Sequence, residues 1–343
     1  MSARSTLNQF LLSRVGDDTS SRDLCSTITS IAEAGINLSK LISRHSLARY
    51  DEAAGAQNPD GDTQKPLNIV ANNVFEEALY NAPVAYLASA EKSEAVPLNP
   101  KGTLAVAINP LDSSTNIESN MSIGTIFSIL RFDSGRVFEG SIGERQVAAG
   151  FLVYGPQTSL VLTCGKGTHT FTLEHVGSEF LLVSENIRIP TAQRELAINT
   201  LNYRFWDSSI RYFIDDCISG EDGPLGVNYR MRWNASLVAE AYRILVWGGV
   251  FLYPGDSRTG FEKGRFRLLY DALPLAFIVE QAGGAASDGN QIILDIEVTS
   301  LHERIPLIFG SRDKVAEVMD YISGDFTANT RFPLFQNPSL LRR

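Results

Sequence analysis

Residues 103–118 read TLAVAINPLDSSTNIE. The first half is apolar and β-branched, which predicts a buried strand. That strand stops at Asp112, followed by Ser113, Ser114 and Thr115. A carboxylate at a strand end suits a hard cation, and the hydroxyl and backbone N–H groups of the turn suit a phosphate. Metal-assisted hydrolysis of a phosphate ester needs both. Taken alone, an Asp-Ser-Ser-Thr turn is more often a plain Asx or Ser/Thr turn, so the rest of the chain has to carry the argument.

Upstream, Leu24, Ile28, Ile31, Ile36, Leu38 and Ile42 recur at helical spacing and predict a helix from about 20 to 42. The polar stretch DEAAGAQNPDGDTQK then reads as a mobile loop near 51–66. PLNIVANNVFEEAL predicts a helix and VAYLAS a short strand. Downstream, the runs GTIFSIL, VAAGFLVYG, SLVLTCG, THTFTL and EFLLVS predict a largely antiparallel sheet between about 124 and 184. Beyond 194, helical and strand patterns alternate through SLVAEAYRILVWGG, VFLYP, LLYDALPLAFIVEQAGG, IPLIFGS and DKVAEVMDYIS. Such alternation predicts a layered α/β half. The boundary is expected near 190, at RIPTAQ, as a packed junction between halves 1–190 and 191–343.

With 343 residues and 44% hydrophobic content, the chain can bury a sizeable core. A net charge of -9 supplies no general field for nucleic acid or an anionic membrane. An anionic substrate must therefore meet a local basic cluster or metal ions. Cys25, Cys164 and Cys217 form no CxxC motif, which points to a reducing compartment. The N-terminal region has no apolar run of signal-peptide or membrane-span length, and Asp17, Asp18 and Asp23 argue against a transit peptide. A cytoplasmic location is expected. His45, His169, His175 and His302 lack ligand-like spacing, so zinc is not expected.

Further motifs give the opening turn its company. NPLDSSTNIE and SIGTIFSIL are similar to DPLDGSSNID and VGTIFSI of class I fructose-1,6-bisphosphatases. In the same order, GDTQKPLNIVAN resembles GDxQKxLDxxAN, QVAAGFLVYG resembles QVAAGYVVYG, and GGVFLYP resembles GGIYLYP. GRFRLLYDALPLAFIVEQAGG resembles GKLRLLYExNPMAFLxEQAGG, and SDG and LHER complete the series. The resemblance runs from STLNQFL to the last helix. It implies an α/β fold layered α/β/α/β/α, with a mostly antiparallel N-terminal sheet and a mixed C-terminal one, in a homotetramer. It also implies hydrolysis of the 1-phosphate of fructose 1,6-bisphosphate with magnesium, or alternatively manganese, in gluconeogenesis or the Calvin cycle.

Carried over position by position, the resemblance assigns catalysis to Glu91, Asp62 and Asn68. It assigns metal binding to Glu91, Asn109, the Leu111 carbonyl, Asp112 and Asp271. Substrate binding falls to Asp112, Ser113, Ser114, Thr115, Asn116, Asn199, Asn202, Arg232, Trp233, Tyr253, Arg265 and Arg267. In that family the arginine matched by Arg232 reaches a neighbouring subunit's phosphate. Arginine suits such ligands through its forked donors.

Three acids of the family pattern are replaced, by Asn68, Ala90 and Asn109, and the glycine of DGSS becomes Ser113. Fewer charged oxygens imply a weaker magnesium site. A turn with φ > 0 would disfavour the Ser113 Cβ. The family's AMP site uses a Lys-Tyr pair that aligns with Thr103 and Leu104, so AMP control is not expected. The alternatives are a metal-poor pseudo-phosphatase that binds sugar phosphates or an active relative, and a sedoheptulose-1,7-bisphosphatase. An inositol-type monophosphatase shares DPLD and AGG but lacks GTIFSIL and LLY.

Overall fold

The computed structural model describes residues 4–16, 18–44, 65–132, 135, 137–191 and 193–324. The expected loop near 51–66 lies outside these residues as far as position 64. Pro66 opens the helix expected from PLNIVANNVFEEAL, at a position where a fixed φ and a missing N–H do no harm.

The helices are α1 (Leu7–Arg14), α2 (Thr19–Ile42), α3 (Pro66–Tyr80), α4 (Ile142–Arg145), α5 (Ser208–Ser219), α6 (Leu237–Trp247), α7 (Leu273–Gln281) and α8 (Arg312–Ser323). Side-chain caps set several of their starts. Thr6 and Gln9 form a reciprocal capping box on α1, and Asp18 accepts from the Ser21 N–H on α2.

The first sheet contains β1 (Val84–Ser89), β2 (Val96–Pro97), β3 (Leu104–Asp112), β4 (Ile123–Arg131), β5 (Gln146–Tyr154), β6 (Thr158–Thr163), β7 (Thr168–Glu174) and β8 (Glu179–Ser184). Its order is β2-β1-β3-β4-β5-β6-β7-β8, antiparallel throughout except for the parallel pair β1 and β3. The remaining strands are β9 (Glu195–Ala197), β10 (Arg230–Met231), β11 (Val250–Tyr253), β12 (Phe266–Arg267), β13 (Ala285–Ser287), β14 (Arg304–Ile305) and β15 (Leu307–Gly310). A second sheet runs β10-β9-β11-β15-β13 with mixed parallel and antiparallel pairs, and β12 pairs with β14 beside it.

Alternation along the strands divides the apolar side chains among three cores. Leu104, Val106, Ile108, Phe127 and Leu152 face the apolar stripes of α2 and α3, including Ile28, Ile31, Leu67 and Phe75. Ala105, Ala107, Ile126 and Phe151 face the other way, onto Leu237 and Ile244 of α6 and Leu275 and Ile278 of α7. Phe251 and Phe309 of the second sheet close this central core, while Val250 and Leu252 turn outward onto Phe213 of α5 and Val318 of α8. The result is helices, sheet, helices, sheet, helices, which is the layered arrangement expected from the resemblance. Fully buried Phe75, Phe127 and Phe151 each contribute roughly 1.5–3 kcal/mol of transfer free energy. No helix among the described residues is long and apolar enough to cross a membrane.

Candidate active site

β1 and β3 run parallel with Ser89 opposite Ile108, so both end at one edge of the first sheet. In α/β sheets, ligands gather at the carboxyl ends of strands. The Ala90 N–H donates to the Ile108 carbonyl at 2.9 Å, which brings Glu91 out at that edge. One strand further, the ladder between β3 and β4 slips: Asn109 faces Ile126, but Asp112 faces Gly124. Pro110, which has no N–H to offer a ladder, lies in this bulge beside buried Leu111, and its carbonyl accepts from the Thr125 hydroxyl at 2.9 Å. Strict alternation would send Asn109 and Asp112 to opposite faces. The bulge lets both meet Asp271.

Asp271 comes from far along the chain. It sits in a π-helical turn, Leu268–Ala272, just ahead of α7, and is 3% exposed. π-turns of this kind are frequent at functional sites. The Arg267 N–H donates to its Oδ2 at 2.9 Å, and Asn109 Nδ2 donates to its Oδ1 at 2.8 Å. Asp112 is also buried. Burial first, and then the negative charge of Asp271, push the Asp112 carboxyl up to about 7. The Val238 N–H at the start of α6 lies 3.5 Å from Asp112 Oδ2. Gly124 permits this approach, since a Cβ there would stand 2.5 Å from a Val238 methyl.

The turn after Asp112 carries the expected hydroxyl groups in distinct settings. Ser113 has φ 61 and ψ 35, the left-handed region, and its hydroxyl donates to Asp112 Oδ2 at 2.8 Å. The positive φ explains why glycine suits this position, and the hydroxyl shows what serine adds. Ser114 is half-buried and Thr115 exposed. Asn116 is buried and its amide donates to the carbonyls of Ser122, Asn234 and Ala235 at 3.3–3.4 Å, so it anchors the turn to the chain ahead of α6.

Glu91 has a different partner. Buried Asn68 on α3 donates Nδ2 to Glu91 Oε1 at 2.8 Å, and Asn68 Oδ1 is buried without a hydrogen-bond partner. Ala90 is fully buried and supplies no ligand atom from its side chain. Asp62 lies outside the described residues. Among the described residues, a hard divalent cation fits the donor chemistry at one point, between the buried oxygens of Asp112 and Asp271, where two like charges otherwise face each other. No group of three or more His, Cys, Asp or Glu side chains among the described residues is arranged to hold a metal ion.

The substrate-side residues gather around the second sheet. Asn199, Asn202 and Tyr253 line one small cavity with Ile198, Trp206, Leu252 and Pro254. Asn199 Oδ1 accepts from the Leu201 N–H at 3.2 Å and caps the 3-10 turn that carries Asn202. The Tyr253 ring meets Phe266 edge-on at 5.1 Å, and burial pushes its hydroxyl pKa up. Exposed Arg265 holds its guanidinium 5.2 Å from the Phe261 ring centre. Trp233 stacks on Phe251 at 6.0 Å, while exposed Arg232 approaches Glu195 at 3.9 Å. Neither Arg232 nor Trp233 lines the cavity of Asn199, Asn202 and Tyr253.

Two contributors escaped the sequence reading. Thr125 supports the bulge, and Val238 turns the amino end of α6 toward Asp112. SLVAEAYRILVW does announce a helix start at Ser236, whose side chain accepts from the Ala239 N–H. Where that start docks depends on packing.

Comparison with known proteins agrees along the whole described chain. Residues 5–185 match the family described as fructose-1-6-bisphosphatase, N-terminal domain, and 189–323 match its C-terminal domain. A class 1 fructose-1,6-bisphosphatase of Nitrobacter hamburgensis is 48% identical over all of both chains. One from Azorhizobium caulinodans is 47% identical over 92% of this chain and 98% of its own. The holo-form crystal structure of Leishmania major fructose-1,6-bisphosphatase superposes with a TM-score of 0.86, at 31% identity, covering 94% of this chain and 99% of that one. With both domains matched, the chain belongs to the class 1 fructose-1,6-bisphosphatase family.

Proposed function

We propose that this protein hydrolyses the 1-phosphate of fructose 1,6-bisphosphate to fructose 6-phosphate and phosphate. One observation carries the reading: the two-residue strand β12 joins the acid site to the sugar-phosphate side. Its Arg267 N–H bonds Asp271, and its Phe266 packs against Tyr253. A ligand with two phosphates, one at the Asp112 turn and one at Asn199, Asn202 and Tyr253, matches this spacing of functions. The pseudo-phosphatase reading is not favoured, because Glu91, Asp112 and Asp271 are retained and relatives 47–48% identical are named as the enzyme. Family membership equally leaves the seven-carbon bisphosphate unfavoured.

In this reading Asp112, Asp271, Asn109 and the Leu111 carbonyl would hold magnesium, or manganese, which polarises the transferred phosphoryl group when bound. The turn Ser113–Ser114–Thr115 receives the 1-phosphate through hydroxyls and backbone N–H groups. Glu91, oriented by the Asn68 amide, takes the proton of the attacking water as oxygen bonds to phosphorus. The bond between phosphorus and the sugar C1 oxygen then breaks, that oxygen takes a proton from bulk water, and Glu91 returns its proton to solvent. Arg265 and Arg267 supply positive charge for the other phosphate. Asp62 assists from the segment before α3, and Arg232 and Trp233 serve a neighbouring subunit in a homotetramer located in the cytoplasm. The half 1–190 supplies the metal side apart from Asp271, and the half 191–343 supplies Asp271 and the sugar-phosphate side.

The test is phosphate release from fructose 1,6-bisphosphate by the full chain with magnesium, beside Glu91→Gln. The variant is expected to be about 10²–10⁴-fold slower, the range for losing a positioned base. Phosphate release no faster from the parent than from the variant would remove the proposal.

A further inference from the structure

We propose that Asn68 and Asn109 act as neutral substitutes for cation charge, so that the acid site closes around one divalent ion per chain. The inference deepens the phosphatase reading and rests on it for the identity of the site.

Two hydrogen bonds carry the argument. Asn68 Nδ2 donates to Glu91 Oε1, and Asn109 Nδ2 donates to Asp271 Oδ1, each at 2.8 Å. Both amides sit in buried positions, 8% and 6% exposed. Their orientation follows from the partner. Turning either amide over would set its carbonyl oxygen 2.8 Å from a carboxylate oxygen, an unfavourable contact between two acceptors. Asn68 accepts this orientation even though its Oδ1 is then left buried without a partner. An unsatisfied buried acceptor costs about 1–3 kcal/mol in general, so the bond to Glu91 has to outweigh it.

These bonds treat the two acids differently from Asp112. Glu91 and Asp271 each receive an amide donor, and Asp271 receives the Arg267 N–H as well. Asp112 receives the Ser113 hydroxyl and the distant Val238 N–H. A carboxylate held by amide N–H groups keeps its position without a metal. At Glu91 the nearest companion on α3 is therefore a donor, where a second cation would require another oxygen ligand. The buried Ala90 side chain adds none. The oxygen set that remains among the described residues is Asp112 with Asp271, beside the Asn109 side-chain oxygen and the Leu111 carbonyl, which is a place for one ion.

The substitutions to make are Asn68→Asp and Asn109→Asp, singly and together. Either places a carboxylate oxygen against another in the metal-free protein. Two measurements avoid turnover altogether. The first is the number of Mn2+ ions bound per chain, by calorimetry and by electron paramagnetic resonance of the free ion. The second is thermal unfolding with and without a chelator. The parent is expected to bind one Mn2+ per chain. In chelator, each variant is expected to melt roughly 2–4 °C below the parent, the size of a lost bond to a charged group in a chain of this length. With excess Mn2+ the double variant recovers that loss and binds two ions per chain.

Two or more Mn2+ bound tightly by the parent would overturn the proposal. So would metal-free variants as stable as the parent. If the variants fail to fold, the parent's ion count still decides. A parent that binds one ion but releases no phosphate would sink the phosphatase reading and leave the one-ion site standing.

Discussion

Ser113 sets a left-handed backbone against a hydrogen bond, and two substitutions separate them. At φ 61 a side chain with a Cβ costs roughly 1–2 kcal/mol relative to the right-handed region. Against that, above about pH 7, where Asp112 is ionised, the Ser113 hydroxyl bonds its buried carboxylate at 2.8 Å, and a bond to a charged group contributes about 1.5–3 kcal/mol. Ser113→Ala keeps the strain and loses the bond, so it is expected to destabilise the protein by about 1.5–3 kcal/mol. Ser113→Gly loses the same bond and relieves the strain. Part of the relief is offset by the greater freedom of glycine in the unfolded chain, about 0.4–1 kcal/mol. The glycine variant is therefore expected to be about 0.5–1 kcal/mol more stable than the alanine variant and still less stable than the parent. Equilibrium urea unfolding of the three proteins, at one protein concentration and in chelator, measures both differences. An alanine variant as stable as the glycine variant would refute the strain, and an alanine variant as stable as the parent would refute the hydrogen bond.

Other sites give independent checks. Glu240 on α6 is 1% exposed, with Arg243 Nε 2.9 Å away, and Arg243 also pairs with Glu195 on β9. Arg243→Met strands that buried carboxylate and is expected to cost about 3–5 kcal/mol, partly recovered by adding Glu240→Gln; an unchanged thermal midpoint counts against the pairing. Burial pushes the Cys164 thiol up to about 12 and raises Cys217 as well, so both stay protonated at pH 8. Native protein should react with iodoacetamide far more slowly than unfolded chain, and prompt modification of Cys164 in the folded state contradicts this. The sign for stability follows: the folded Cys164 keeps its proton above its ordinary value of 9.0, so its contribution is intact below about pH 9 and lost as pH rises through about 12.

Much of the architecture was legible before any coordinates because it rests on local periodicity. Helix spacing in Leu24, Ile28 and Ile31 and the β-rich runs after Gly124 survive as α2 and β4 to β8, since burial of one face is a property each segment carries by itself. PLNIVANNVFEEAL likewise survives as α3, which opens at Pro66 because a proline is favourable in the first turn of a helix.

At the site, the identities of Asp112, Asp271, Asn199 and Tyr253 could be read from ordered motifs, while their partners could not. That Asn109 and Asn68 are donors to Asp271 and Glu91 depends on a bulge at Pro110 and on where α3 lies against β1, and neither leaves a periodic trace. The same holds for the left-handed turn at Ser113 and the docking of α6 on Asp112 through the gap left by Gly124. Sequence by itself determined which segments are helix or strand, which faces are apolar and which residue types stand at the strand ends. Only the tertiary structure decided which acids share a buried space and which amide faces each of them, because contacts between residues as distant as 109 and 271 are set by packing of whole layers.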